Sequence, residues 1–290
     1  MFSCCIFARQ IQEAFLSVTI LHFQNYKSMN YYIITGASRG IGAALTRKLI
    51  VPGNTLFAVS RNLNEDLVEL AASLNVPLFY FETDLSVREE AETFIHNVFS
   101  KIHLGPFDRI ALINNAGMLE PVSPIKSIDF ALAEKHLHLN LLAPMILSSV
   151  FLTETARLDI QKVILNISSG ASFNAYSGWS VYCSSKAGLD MFTQVAGLEQ
   201  DAEDRPANVF ALAPGIIETG MQELIRTSDK SLFPERDNFI RLYEEGKLSN
   251  PEDIAHIILS TIFNYDIVTG SIVTIDQLKA IMNTLGIPHN

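Results

Sequence analysis

The sequence predicts an α/β fold: a doubly wound parallel sheet with helices on both faces, three layers (α/β/α) built as one domain. Three observations predict it. Short β-favouring apolar runs alternate with segments of helical period along most of the chain, and a glycine-rich turn joins the first run to the first helix. The composition, 48% apolar and 18% charged over 290 residues, supports a sizeable core and excludes disordered and low-complexity classes. Length at about 150 residues per domain favours two domains, but single α/β domains run to about 250. No repeat or Pro/Gly linker divides the alternation, so one domain is expected over residues 29–290.

In chain order, Tyr31 to Ile34 reads as a strand, followed by the turn Thr35-Gly36-Ala37-Ser38-Arg39-Gly40-Ile41-Gly42 and a helix through Leu45, Leu49 and Ile50. Strand Thr55 to Val59, helix Glu65 to Leu74, strand Pro77 to Phe81, helix Val87 to Phe99 and strand Arg109 to Ile113 complete the first half. The second half reads as a helix around Phe130 to Leu152, strand Lys162 to Ile167, helix Tyr182 to Glu199, strand Asn208 to Leu212, helix Pro251 to Ile262 and strand Ser271 to Ile275. Such βαβ alternation requires right-handed crossovers and a parallel sheet. The long polar stretch from Thr219 to Leu248 is expected to be a mobile lid over a substrate.

The balance of 21 basic against 31 acidic residues gives a formal charge of −10, and no basic cluster offsets it, so nucleic acid is not an expected partner. Cys4, Cys5 and the distant Cys183 form neither a disulfide framework nor a metal-ligand set, which fits a reducing cytoplasm. No apolar run approaches the ~18 residues of a bilayer span, so no membrane association is expected. Residues 1–28 hold apolar stretches broken by Arg9, Gln10, Gln12 and Glu13 and lack the plan of a signal peptide. A tethered helix or a weak targeting extension remains open there. The preferred expectation is a natural start at Met29, just before the first strand.

Gly36, Gly40 and Gly42 stand where φ > 0, close backbone approach and free helix N-terminal N–H groups suit a dinucleotide pyrophosphate. Their G-x-x-x-G-x-G spacing on this Rossmann-type turn is followed in order by further blocks: Asp84-Leu85 after the third strand, Asn114-Asn115-Ala116-Gly117 after the fourth, Asn140, Ser168-Ser169, Tyr182-Cys183-Ser184-Ser185-Lys186, and Pro214-Gly215 with Ile217 and Thr219. Together these blocks resemble the short-chain dehydrogenase/reductases over nearly all of residues 31 to 276.

Tyr182 and Lys186, four apart on a helix, share one face. An ammonium beside a phenol favours the phenolate, and a shift of about three units from a pKa near 10 needs about 4 kcal/mol, for which Lys186 and an oxidised nicotinamide are plausible sources. The resemblance implies Tyr182 as proton donor to a substrate carbonyl, Ser169 as its hydrogen-bond partner, and Lys186 with Asn140 as a proton resupply through a held water. Pro144 cannot donate to the carbonyl of Asn140, four residues earlier, and so leaves it for that water; a plain helix kink is the alternative consequence.

NAD-preferring members of the family place an acidic residue after the second strand. Here the chain has Ser60-Arg61, and Arg39 lies in the glycine turn, so two guanidiniums are expected to flank a 2′-phosphate and NADP(H) is the expected cofactor. Each arginine alone reads equally as a solvated surface charge. The resemblance further places Gly36, Ser38, Gly40, Ile41 and Gly42 at the phosphates, Asp84 and Leu85 near adenine, Asn115, Ala116 and Gly117 along the ribose, and Pro214, Gly215, Ile217 and Thr219 at the nicotinamide. His136 and His138, two apart on a helix, point to different faces and are not a metal pair; no metal is expected. Cys183 reads as a packed residue.

The run Gly178 to Ala187 with Trp179, Asp190-Met191 and Gln194-Val195, then Thr219-Gly220-Met221-Gln222 and Glu245 to Leu248, is similar to the sepiapterin reductase branch, which includes bacterial benzil (1,2-diketone) reductases. That branch anchors pterin through an aspartate in the last strand. Counted from Gly270, this place is Thr274, with Asp276 further along the same strand face. The expected function is therefore an NADPH-dependent carbonyl reductase of a small ketone or 1,2-diketone, with Met118, Trp179, Met221 and Ser169 around the substrate. A sepiapterin reductase and a noncatalytic NADP(H) sensor are the alternatives. A homodimer is expected, a tetramer being possible.

Overall fold

The computed structural model describes residues 29–103, 107–264 and 267–287; the expectations for residues 1–28, Cys4 and Cys5 among them, lie outside the described residues. Seven parallel strands form one sheet in the order β3-β2-β1-β4-β5-β6-β7: β1 Asn30–Thr35, β2 Asn54–Ser60, β3 Leu78–Glu82, β4 Arg109–Asn114, β5 Gln161–Ile167, β6 Asn208–Ala213 and β7 Ile272–Thr274. The order reverses at β1, where Ile33 pairs with Phe57 of β2 on one side and Leu112 of β4 on the other. Ligands bind α/β sheets at such a switch point, outside the carboxyl ends of the strands.

The strands are apolar throughout because both faces are covered. In β1, Tyr31 and Ile33 enter one core, with Ile110, Leu112 and Phe151, while Tyr32 and Ile34 enter the other, with Leu45, Phe210 and Ile258. Helices α1 Gly40–Leu49, α2 Glu65–Ser73 and α9 Pro251–Ile262 supply the latter core. Helices α3 Arg88–Lys101 and α5 Ala143–Thr155 supply the former, and α6 Ser180–Gln200 carries the second half of the site.

Four features depart from the sequence reading. The helix expected over Phe130 to Leu152 is α4 Phe130–Leu137, a π turn His138–Leu142 and α5. Ala143 N–H donates back five residues to His138 O, and Pro144, unable to donate to Asn140, follows at once. Contrary to expectation, the stretch 130–155 is long and apolar enough for a bilayer span by length and composition. It instead packs on the sheet, where Leu147 and Phe151 are fully buried. The segment expected as a lid carries α7 Gly220–Thr227 and α8 Arg236–Glu244, with Ile225, Phe239 and the intervening Phe233 buried.

The fourth departure lies at the last strand, which ends at Thr274 because that residue caps α10 Ile275–Leu285. Thr274 Oγ1 accepts from Gln277 N–H while the Gln277 side chain accepts from Thr274 N–H, a capping box. Asp276 therefore sits in a helical first turn, its side chain 87% exposed beside Lys279, and the strand-face argument for it is overturned.

Candidate active site

At the switch point the turn after β1 is held by side chains. Asn115 N–H and Ala116 N–H both donate to Thr35 Oγ1 at 2.9 Å, and Asn115 Nδ2 donates to Thr35 O at 2.8 Å. Gly36, at φ +70°, leaves no room for a Cβ, which would stand 2.9 Å from Ala116 Cα. A Cβ on Gly42 would strike Gly36 O at 2.2 Å, so Gly42 serves the packing of helix on turn and does not line the cavity.

One continuous cavity runs from this turn, past the ends of β2 and β3, to α6 and α7. Gly36, Ser38, Arg39, Gly40, Ile41, Arg61, Asp84, Leu85, Asn115, Ala116, Gly117, Pro214, Gly215, Ile217 and Thr219 all line it. The N-terminus of α1 faces it without a side-chain cap and without an acidic residue in its first turn, so free N–H groups meet whatever phosphate lies there. This donor set fits a dinucleotide.

Arg61 is exposed at the end of β2, and Ser60 Oγ is spent on Tyr80 Oη at 2.5 Å and on Asn62 O. Arg39 spans towards the start of α7: a Cβ on Gly220 would stand 3.3 Å from its Nη1. Asp84 is turned to its own loop, accepting from Ser86 N–H and Oγ and pairing with Lys135 at 3.1 Å. Partial burial acts to raise its carboxyl, but these bonds prevail and hold it below the ordinary carboxylate range. Among the described residues lining the cavity, Asp84 is the one carboxylate, and it is engaged by Ser86 and Lys135.

At the far end, Ser169 follows β5 and Tyr182 and Lys186 rise from α6, all three lining the same cavity. Ser169 Oγ accepts from Ala171 N–H at 3.2 Å. Tyr182 is nearly buried with Oη 4.0 Å from Met221 Sδ. Burial pushes its phenol above 10, the nearby Ser169 hydroxyl acting against this. Lys186 donates to Ile167 O at 2.7 Å, and burial brings its ammonium down to about 8 with Asp190 opposing. In the chain by itself burial dominates the Tyr182 phenol, and the Lys186 amine is directed at a backbone carbonyl.

Asn140 and Met118 stand behind the lining. Met118 N–H donates to Asn140 Oδ1 and Asn140 Nδ2 to Met118 O, both at 2.8 Å, so Asn140 clamps the loop after β4 while Leu119, not Met118, faces the cavity. Trp179 and Met221 line it as expected. The sequence reading missed the rest of this wall. Phe239 and Tyr176 line the cavity and pack on the Trp179 indole, while Phe233, behind the lining, stacks on the same indole at 4.5 Å and 4°. The helical spacing of Met221, Leu224 and Ile225 was the available signal for α7. Among the described residues no cluster of His, Cys, Asp and Glu could hold a metal.

Residues 30–230 match the family model described as short chain dehydrogenase. The chain is 39% identical over 249 residues to the benzil reductase ((S)-benzoin forming) of Bacillus cereus, covering 86% of this chain and 100% of that one. It is 34% identical over 214 residues to the sepiapterin reductase of Xenopus laevis, covering 69% of this chain and 79% of that one. Among solved structures it is similar to the KRED1-Pglu enzyme, with a TM-score of 0.73 and 28% identity over 84% of this chain and 100% of that one.

Proposed function

Because the chain belongs to the short-chain dehydrogenase family, an oxidoreductase family that uses nicotinamide cofactors, we propose that it is an NADPH-dependent reductase of small, largely apolar ketones and 1,2-diketones. The observation that carries this reading is the single cavity with uncapped α1 and two arginines at one end and Ser169, Tyr182 and Lys186 at the other. When bound, the reduced cofactor supplies a hydride. Tyr182 gives its phenolic proton to the carbonyl oxygen of the substrate, and Ser169 Oγ donates a hydrogen bond to that oxygen. The ammonium of Lys186 stabilises the phenolate left behind, which offsets the burial that raises the phenol of the chain alone. The carbonyl of Asn140, denied a donor by Pro144, holds the water that returns the proton.

The substrate class follows from the wall. Trp179, Tyr176, Phe239 and Ile225 offer ring faces and aliphatic carbon with few hydrogen-bonding groups, which suits an aromatic or alkyl diketone. The similarity to benzil reductase supports the same reading. The carboxylate that would anchor a pterin is missing from the lining, since Asp276 points to solvent. The reading includes a homodimer, as Met191, Val195 and Leu198 form an exposed apolar stripe on α6.

The direct test is Tyr182→Phe. Turnover is expected to fall by about 10²- to 10⁴-fold with NADPH binding retained, as for loss of a general acid; normal turnover would refute Tyr182 as the donor and exclude this mechanism. Loss of NADPH binding in the folded variant would instead assign Tyr182 to the cofactor.

A further inference from the structure

His136 is a buried ionisable group that no step above uses. It lies in the last turn of α4, is fully buried, and does not line the cavity. Its Nδ1 lies 2.7 Å from Glu120 O, and its Nε2 lies 2.9 Å from both Asn140 Nδ2 and Ser185 Oγ.

The partners determine its protonation state. A carbonyl only accepts, so Nδ1 carries a hydrogen and donates it to Glu120 O. The Asn140 amide is oriented by Met118, whose N–H must meet Oδ1 and whose carbonyl must meet Nδ2. The other Nδ2 hydrogen then faces His136 Nε2, which must offer a lone pair. His136 is thus a neutral ring with its hydrogen on Nδ1, and a second proton would set N–H against N–H. Burial, with the Lys186 charge adding to it and the Glu120 bond opposing, lowers the imidazole to about 4. The ionisable groups facing it are Lys186 and Tyr182 from α6; Glu120 meets it through its carbonyl.

This one ring joins the segments that carry the site. It reaches the loop after β4 through Glu120 and, by way of Asn140, through Met118. It reaches α6 through Ser185, whose one hydroxyl hydrogen goes to the Nε2 acceptor at 2.9 Å in place of Tyr182 O, the competing acceptor 2.8 Å from the same Oγ, and through edge contact with the Tyr182 ring at 5.9 Å and 89°. We propose that His136 is a positioning residue for the reduction: as a neutral acceptor at Nε2 it sets Asn140 and α6 in register, so that the Tyr182 hydroxyl is presented to the substrate carbonyl. This rests on Tyr182 as proton donor.

The test compares His136→Leu, which fills the space without an acceptor, with His136→Gln, whose amide oxygen can replace Nε2, in NADPH-dependent diketone reduction. The imidazole nitrogen spectrum of isotope-labelled wild-type protein is recorded beside them. His136→Leu is expected to lose about tenfold in kcat with NADPH affinity held within about twofold, and His136→Gln to return to within about threefold of wild type. The spectrum is expected to show a neutral ring protonated at Nδ1 at pH 6. Equal kcat loss in both variants, wild-type kcat in His136→Leu, or a hydrogen on Nε2 would each overturn the proposal. Should His136→Leu fail to fold, the spectrum and a folded His136→Gln decide it. An inactive Tyr182→Phe with unaffected His136→Leu sinks the positioning role alone, whereas an active Tyr182→Phe sinks the proton-donor reading itself.

Discussion

Arg61 and Lys186 set the electrostatics of the two ends of the cavity, and each makes a separate prediction. Ser60 is spent on Tyr80 and Asp84 on Ser86 and Lys135, and under the proposed NADPH reading Arg61 binds the 2′-phosphate beside Arg39. Arg61→Ala is expected to lower the preference for NADPH over NADH by roughly 10- to 100-fold, the loss of a charge-assisted contact of about 1.5–3 kcal/mol; an unchanged ratio in steady-state kinetics would assign the phosphate to another group. Lys186 has its ammonium near 8 because burial disfavours charge, so it is protonated below that pH and loses charge above it. The kcat/KM for NADPH, which reports the free enzyme, is expected to decline as pH rises through about 8. A flat profile to pH 10 would detach Lys186 from cofactor capture. At this scale the sequence was most legible where a residue's role depends on spacing: Tyr182 and Lys186 four apart, the glycines in their turn. It was least legible at His136, whose role depends on Glu120, Asn140 and Ser185 arriving from elsewhere in the fold. Spacing against His138 carries no trace of them.

The elements were legible wherever apolar periodicity is uninterrupted, which covers all seven strands and the helices between them. Three were hidden, each for a local reason. Helices α7 and α8 lie in a polar stretch whose apolar residues are few, and they are stabilised by Phe233 and Phe239 docking on Trp179. Phe239→Ala is expected to raise KM for an aromatic diketone such as benzil about tenfold while changing that for a small aliphatic diketone far less, since only the larger substrate needs the ring wall. Equal changes for both would remove Phe239 from substrate recognition. The start of helix α10, Ile275 and Asp276, was read as the end of a strand because Ile272 to Ile275 is β-favouring, although the Thr274-x-x-Gln277 capping box and the spacing of Ile275, Leu278 and Met282 mark a helix. Thr274→Ala is expected to cost about 1 kcal/mol in urea unfolding, read as a lower midpoint with unchanged slope and retained turnover.

For the whole molecule, the seven-stranded sheet explains why the glycine turn at Gly36 and the Tyr182 side chain share one cavity: the turn follows β1 at the switch point, and Tyr182 lies on the helix after β5, two strands along the same carboxyl edge. It also makes buried charge a matter of global stability. The His136 imidazole titrates near 4 when folded and at an ordinary 6.5 when unfolded, so the unfolded chain binds the proton first on acidification. Stability is therefore expected to fall by about 1.5 kcal/mol between pH 6.5 and 5, and to fall less in His136→Gln. Urea midpoints across that window check it. The central claim is tested most directly by following the loss of NADPH absorbance with purified protein offered benzil, a small aliphatic diketone and sepiapterin, with NADH as the parallel cofactor. The account predicts NADPH-dependent turnover of the diketones exceeding that with NADH and exceeding that of sepiapterin; NADPH binding without turnover of any of these carbonyls, or a preference for sepiapterin, would contradict it.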